Sequence, residues 1–132
     1  MAAAAKQNDK VVGTDTHIVM VATPGGPVPT STQLPFSGTI SGNCSTDVYV
    51  NGQPAAIVGS TADNKPPHLP VPSNGTFQTP PTNKGTVVKG SGTVLVNGKP
   101  AARTGDKVNT CNDPSPAPTS SIVATSTVDI GD

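Results

Sequence analysis

A nine-residue segment occurs twice in this chain, and it narrows the fold more than any other feature. Val48-Tyr49-Val50-Asn51-Gly52-Gln53-Pro54-Ala55-Ala56 returns 46 residues later as Val94-Leu95-Val96-Asn97-Gly98-Lys99-Pro100-Ala101-Ala102, identical at seven of nine positions. In each copy an apolar run meets Asn-Gly, the pair that most readily supplies positive φ at both central positions of a tight hairpin turn. The proline after the turn suits a strand start and cannot occupy a central ladder position. Returning strands are expected through Ala55-Ala56-Ile57-Val58-Gly59 and Ala101-Ala102-Arg103-Thr104-Gly105, where small alanine side chains let strands approach closely. Two hairpins of one kind predict a pseudo-symmetric body wound about an axis.

The rest of the chain agrees with an all-β fold that has little or no helix. Glutamate is absent, Gly and Pro number 14 and 15, and strong helix formers are scarce outside Ala2 to Ala5. Strands are expected at His17 to Ala22, Gly85 to Lys89 and Ser121 to Ile130. The last alternates apolar residues at Ile122, Ala124, Val128 and Ile130 with a period of two. Pro- and Gly-rich loops are expected over Thr23 to Pro35, Asn64 to Pro81 and Asn112 to Pro118. The 132 residues suit one domain, 1–132, with residues 1–12 a loosely ordered N-terminal segment.

With 33% hydrophobic and 2% aromatic residues, the chain buries little apolar surface per residue. At about 25 cal/mol per Å² that surface struggles against roughly 1–2 kcal/mol of backbone entropy per residue. Small, core-poor folds make up such a deficit with a cross-link or a metal. The candidates are His17, Cys44, His68 and Cys111, the only His and Cys residues in the sequence. Cys44 precedes the first repeat, His68 follows it, and Cys111 follows the second. His17 comes after Gly13-Thr14-Asp15-Thr16, which resembles the Gly105-Asp106 start of the loop to Cys111. Hairpin alternation would put all four on one side of the body. Two thiolates and two imidazoles make a closed tetrahedral site suited to one structural Zn²⁺, with iron as the other metal to consider. Asp15 and Asp106 are candidates to orient those loops from behind the ligands. A Cys44–Cys111 disulfide, or no shared site at all, are the alternatives left open.

Several function classes are disfavoured. No segment approaches the ~20 apolar residues of a membrane span, and the N-terminus lacks the apolar core of a secretory signal, so synthesis in the cytoplasm is expected. A net charge of +0, unclustered Lys and Arg, and few aromatic residues give no footprint for nucleic acid. There is no GxSxG or HExxH, and the Asp residues stand singly, so no catalytic residues are proposed.

Pro100-Ala101-Ala102-Arg103 is the tetrapeptide that names the PAAR family, and it sits between Val94-Leu95-Val96-Asn97-Gly98-Lys99 and Thr104-Gly105-Asp106 with Cys111 beyond. The first copy has Ile57 where the motif has Arg, and Thr23-Pro24-Gly25-Gly26-Pro27-Val28-Pro29 is similar to the PAAR-like branch. From about Gly13 onward the chain resembles PAAR-type spike-tip proteins of contractile injection systems: type VI secretion machines, phage-like tails and extracellular injection particles. The resemblance implies a small pseudo-threefold cone of β-hairpins, metal-stapled at its vertex, whose base caps and sharpens a trimeric β-helical spike, one tip per trimer. It implies a structural protein rather than an enzyme, assembled at the particle tip, delivered outside the cell or into a target cell, and meeting the target membrane mechanically. Many members bind their metal through three His and one Cys, and with two His here either Cys44 replaces one ligand or the site is different. A spike-docked adaptor carrying a separate effector is the second reading, and a small zinc hydrolase the third. Alternating strands such as Ser121 to Ile130 are candidates for the surface that meets the spike.

Overall fold

β-branched runs punctuated by Gly and Pro leave the backbone extended almost throughout. The computed structural model describes residues 2–131, and among them there is no helix. The strands are β1 (Ala2–Ala3), β2 (Lys10–Val21), β3 (Val28–Gly42), β4 (Tyr49–Val50), β5 (Gln53–Pro54), β6 (Thr61–Asn64), β7 (Thr76–Phe77), β8 (Lys84–Val87), β9 (Leu95–Val96), β10 (Lys99–Pro100), β11 (Lys107–Thr110), β12 (Ala117–Val123) and β13 (Asp129–Ile130).

Six of them form a closed barrel in the order β12-β11-β8-β6-β3-β2, with β12 pairing back onto β2. The barrel is three antiparallel pairs, β2 with β3, β6 with β8, and β11 with β12. Closure brings the backbone close at Gly13, which pairs with both Phe36 and Ser120; a Cβ there would meet the Ser120 side chain and lie 2.5 Å from the Thr119 carbonyl.

The pairs are related by a pseudo-threefold axis, and the hydrogen bonds at one end display it. The Ala5 N–H donates to the Ala102 carbonyl, Ala102 to Ala56, and Ala56 to Ala5, at 2.9, 3.0 and 3.0 Å. This closed ring of three backbone bonds surrounds the axis, and all three alanines are buried. A matching turn follows each, with a positive φ at Asn8, Gly59 and Gly105. Each turn is tied by a side chain that accepts from the backbone three residues earlier: Asp9 from Lys6, Ser60 from Ile57, Asp106 from Arg103. Val11, Ala62 and Val108, and Ile40, Val87 and Ile122, are buried with the ring alanines in one core that also holds Phe36 and Cys111.

Three short arms stand beside the ring and form the base. Two are the repeated hairpins, β4–β5 and β9–β10, whose Asn51-Gly52 and Asn97-Gly98 turns have positive φ at both residues, as expected from the sequence. The third arm is β13 paired with β1, Ala2 opposite Ile130 and Ala3 opposite Asp129, so it is assembled from the two ends of the chain. Its place is fixed by equivalent bonds: Ala55 donates to Val48, Ala101 to Val94, and Ala4 to Val128.

Four sequence expectations are corrected here. The N-terminal segment expected to be loose is built into the base: Ala4 and Ala5 are buried, and β2 begins at Lys10; Met1 lies outside the described residues. The loop expected over Thr23 to Pro35 is mostly β3. Ser37 turns its N–H and carbonyl away from β2, toward Asn64 and Lys65. Pro29 and Pro35 share that parity, so the N–H that each lacks would point off the ladder, where proline is tolerated. The strand expected over Ser121 to Ile130 is split: β12 ends at Val123, the Ala124 N–H bonds the Thr104 hydroxyl, and β13 starts at Asp129. The returning segments after each hairpin are single bridges, Lys6 to Ala55, Ile57 to Ala101 and Ala4 to Arg103, because they wrap the axis instead of joining a ladder.

Candidate metal centre

β2, β6 and β11 all start beside the alanine ring and run away from it, so their far ends gather at the opposite end of the barrel. Asp15 and His17 lie two residues apart on β2, a spacing that puts both side chains on one face. His68 follows β6 in the Pro66-Pro67 segment, and Cys111 follows β11 directly. These four residues are buried, and one ligand atom from each lies within 4.8 Å of the others. Each of the three barrel lobes contributes to the group.

Asp15 is its hub. One carboxylate oxygen, Oδ1, accepts from the Thr110 hydroxyl and, at 3.3 Å, from the Thr119 hydroxyl. The other, Oδ2, lies 2.8 Å from His68 Nε2 and accepts from Cys111 Sγ at 3.4 Å. His68 Nδ1 is 3.3 Å from the Asn64 amide nitrogen, which fits a ring protonated at Nε2 and accepting at Nδ1. The His17 ring stands 5.0 Å from that of His68 and 5.8 Å, edge-on, from Phe77. Asp113 Oδ2 sits 3.5 Å from His17 Nδ1, beyond a normal hydrogen-bond length, and accepts from the Ile18 N–H. Both His17 ring nitrogens therefore lack a hydrogen-bond partner although the ring is 1% exposed. Two orphaned polar atoms in a buried imidazole would cost about 1–3 kcal/mol each. Burial lowers the His17 pKa, which keeps the ring neutral and ready to donate a lone pair. Burial, followed by the nearby Asp15 carboxylate, pushes the Cys111 thiol up to about 11.

The donors fit a metal ion. Two imidazoles, a thiol and a carboxylate are a recognised mix for a four-coordinate cation, whose bonds of about 2.0–2.3 Å would need only a modest contraction of the group. The buried Asp15, His17, His68 and Cys111 cluster can thus hold a metal, and it would use one of the two His17 nitrogens that nothing else satisfies.

Of the four residues proposed from sequence, His17, His68 and Cys111 come together and Cys44 does not. Cys44 follows β3, which descends toward the base, so it emerges at the other end of the barrel. Its half-buried side chain packs against the core, with Sγ 3.8 Å from the Gly42 carbonyl. Both cysteines are free, which excludes the Cys44–Cys111 disulfide. Asp15, expected only to orient a ligand loop, stands among the ligand atoms. Asp106 is remote from that role: it bonds Arg103 through Nε at 3.0 Å and through the terminal nitrogen Nη2 at 2.8 Å. The signal for Asp15 was present as Asp-x-His on a strand of period two. We expect Cys44→Ser to keep the metal stoichiometry of the wild type and to change the melting midpoint by less than about 3 °C, as measured by elemental analysis and thermal unfolding.

The family model described as PAAR motif matches residues 78–132, the stretch holding the β9–β10 arm, the Pro100-Ala101-Ala102-Arg103 turn, β11, β12 and β13. No curated protein matches the chain. The chain carries the motif of PAAR spike-tip proteins, and the match supports a role related to the spike of contractile injection systems.

Proposed function

We propose that this chain is a structural tip that caps the trimeric central spike of a contractile injection system, one tip per trimer, and sharpens it for passage through a target membrane. The observation that carries this reading is the two-ended fastening of three equivalent lobes. At the base, the alanine ring and three similar arms present a threefold pattern that suits a threefold partner. At the far end, Asp15, His17, His68 and Cys111 join the same lobes around a cation, which we take to be Zn²⁺ from the mixed nitrogen, sulfur and oxygen donors. A narrow end has little interior to bury, so a metal supplies rigidity that a hydrophobic core cannot.

Four protein donors complete a tetrahedral shell and leave no position for substrate or water, so we read the site as structural and the protein as a non-enzyme. On this reading the tip travels with its spike out of the producing cell, and its contact with the target membrane is mechanical.

The test is co-sedimentation of the purified chain with a trimeric β-helical spike fragment. One chain per trimer is expected. Binding to monomeric fragment alone, or three chains per trimer, would sink the capping role.

A further inference from the structure

The three arms can be compared position by position. Val48, Val94 and Val128 are equivalent, as their carbonyls accept from Ala55, Ala101 and Ala4. The next residues are Tyr49, Leu95 and Asp129, and the next are Val50, Val96 and Ile130. The first and third sets are β-branched aliphatics, and they line an open hollow of about 260 Å³ together with Ala5 and Ala56 of the ring and the arm alanines Ala4, Ala55 and Ala101, with Tyr49 and Asp129 of the middle set at its edge. The first set is also evenly exposed, at 39, 36 and 41%. The middle set is chemically mixed: a phenol, an isobutyl group and a carboxylate.

We propose that the hollow receives three identical aliphatic side chains, one from each subunit of a threefold-symmetric partner, and that this inner ring carries the recognition while the outer ring of Tyr49, Leu95 and Asp129 does not. The inference rests on the capping role proposed above and says where its affinity lies. A threefold partner presents the same group three times. At the outer ring that group would meet an aromatic ring, an aliphatic chain and an acid in turn, and no single chemistry suits all three. At the inner ring an aliphatic group meets the same kind of wall each time. The ring and arm N–H groups are already bonded to backbone carbonyls, so a polar occupant would lose water and find no free backbone donor among them. The volume is below the roughly 300–1,000 Å³ of small-molecule sites, which argues against a free ligand.

The test uses a trimeric β-helical spike fragment whose end presents one aliphatic side chain per subunit, and the same fragment with that side chain changed to Asp. Val94→Thr and Val128→Thr keep shape and add a hydroxyl at partly exposed positions. Each is expected to weaken binding about tenfold with an unchanged melting midpoint, while Tyr49→Ala and Leu95→Ala change it less than threefold. The Asp-ended fragment is expected not to bind. Larger losses from the outer pair than from the inner pair would overturn the proposal. So would dimers of the chain alone that dissociate on Val94→Thr, because the hollow would then belong to a second copy. Failure of the wild-type chain to bind the aliphatic fragment at all would overturn the capping role itself, and this inference with it.

Discussion

Cys111→Ser and His17→Ala are each expected to abolish stoichiometric metal binding and to lower the melting midpoint by about 15 °C or more, and a strong chelator should do the same to the wild type. The size follows from what the cation replaces. Structural zinc supplies on the order of 10 kcal/mol in small domains, and 1 kcal/mol moves the midpoint of a chain this long by a few degrees. Without a cation, His17 keeps two unbonded ring nitrogens in a buried site, and Asp15 must accept from both Cys111 and His68. With one, the β2, β6 and β11 lobes are tied at their far ends. Elemental analysis of protein purified without chelator should show one zinc per chain. The decisive comparison is the response to chelator: a large drop for wild type and none for the variants. A wild type whose midpoint ignores chelator, or a Cys111→Ser protein that keeps its full metal content, would remove the metal from the account.

At the other end, Ala102→Leu is expected to lower the midpoint by about 10 °C or to prevent folding, although it only adds apolar volume. Ala5, Ala56 and Ala102 face one axis at 0–1% exposure, and their backbones are locked together at 2.9–3.0 Å. Overpacking a well-filled core costs typically 1–3 kcal/mol, and more where the surroundings cannot move. Here they cannot, because widening the ring stretches all three bonds. The Pro-Ala-Ala-Arg sequence thereby acquires a physical reading: Ala102 is a buried member of the ring, and Arg103 brackets the turn through Asp106. Val123→Ala, on an exposed strand position, serves as the control and should shift the midpoint by less than about 2 °C. An Ala102→Leu protein that melts with the wild type would show that the ring is slack.

The two Asn-Gly arms were legible in the sequence because each is local: one turn dipeptide and two short runs specify it. The third arm escaped because its strands are at opposite ends of the chain and no turn joins them, so no window of sequence contains it. A trace was available in Ala4-Ala5-Lys6-Gln7-Asn8-Asp9, which matches Ala101-Ala102-Arg103-Thr104-Gly105-Asp106 in its paired alanines, its cation and its aspartate. Prolines misled over β3, since a proline whose ring faces away from the ladder looks the same in sequence as one in a loop. For the metal group, counting soft ligands found His17, His68 and Cys111 but had no sense of strand direction. Cys44 leaves β3 at the base and Cys111 leaves β11 at the far end, a difference set by the up-and-down course of the barrel.

The split third arm has a consequence for the order in which the molecule is made. During synthesis, β1 emerges well before its partner β13, with all the other strands between them. The barrel lobes are local pairs that can form as they appear, but the ring bond from Ala5 to Ala102 and the β1–β13 pairing must wait for distant sequence. The base is therefore the last part to be completed, and a nascent or truncated chain displays it open. A circular permutant that joins the ends through Asn-Gly and opens the chain in the Pro-rich segment after Leu69 would turn that long-range closure into a third local hairpin.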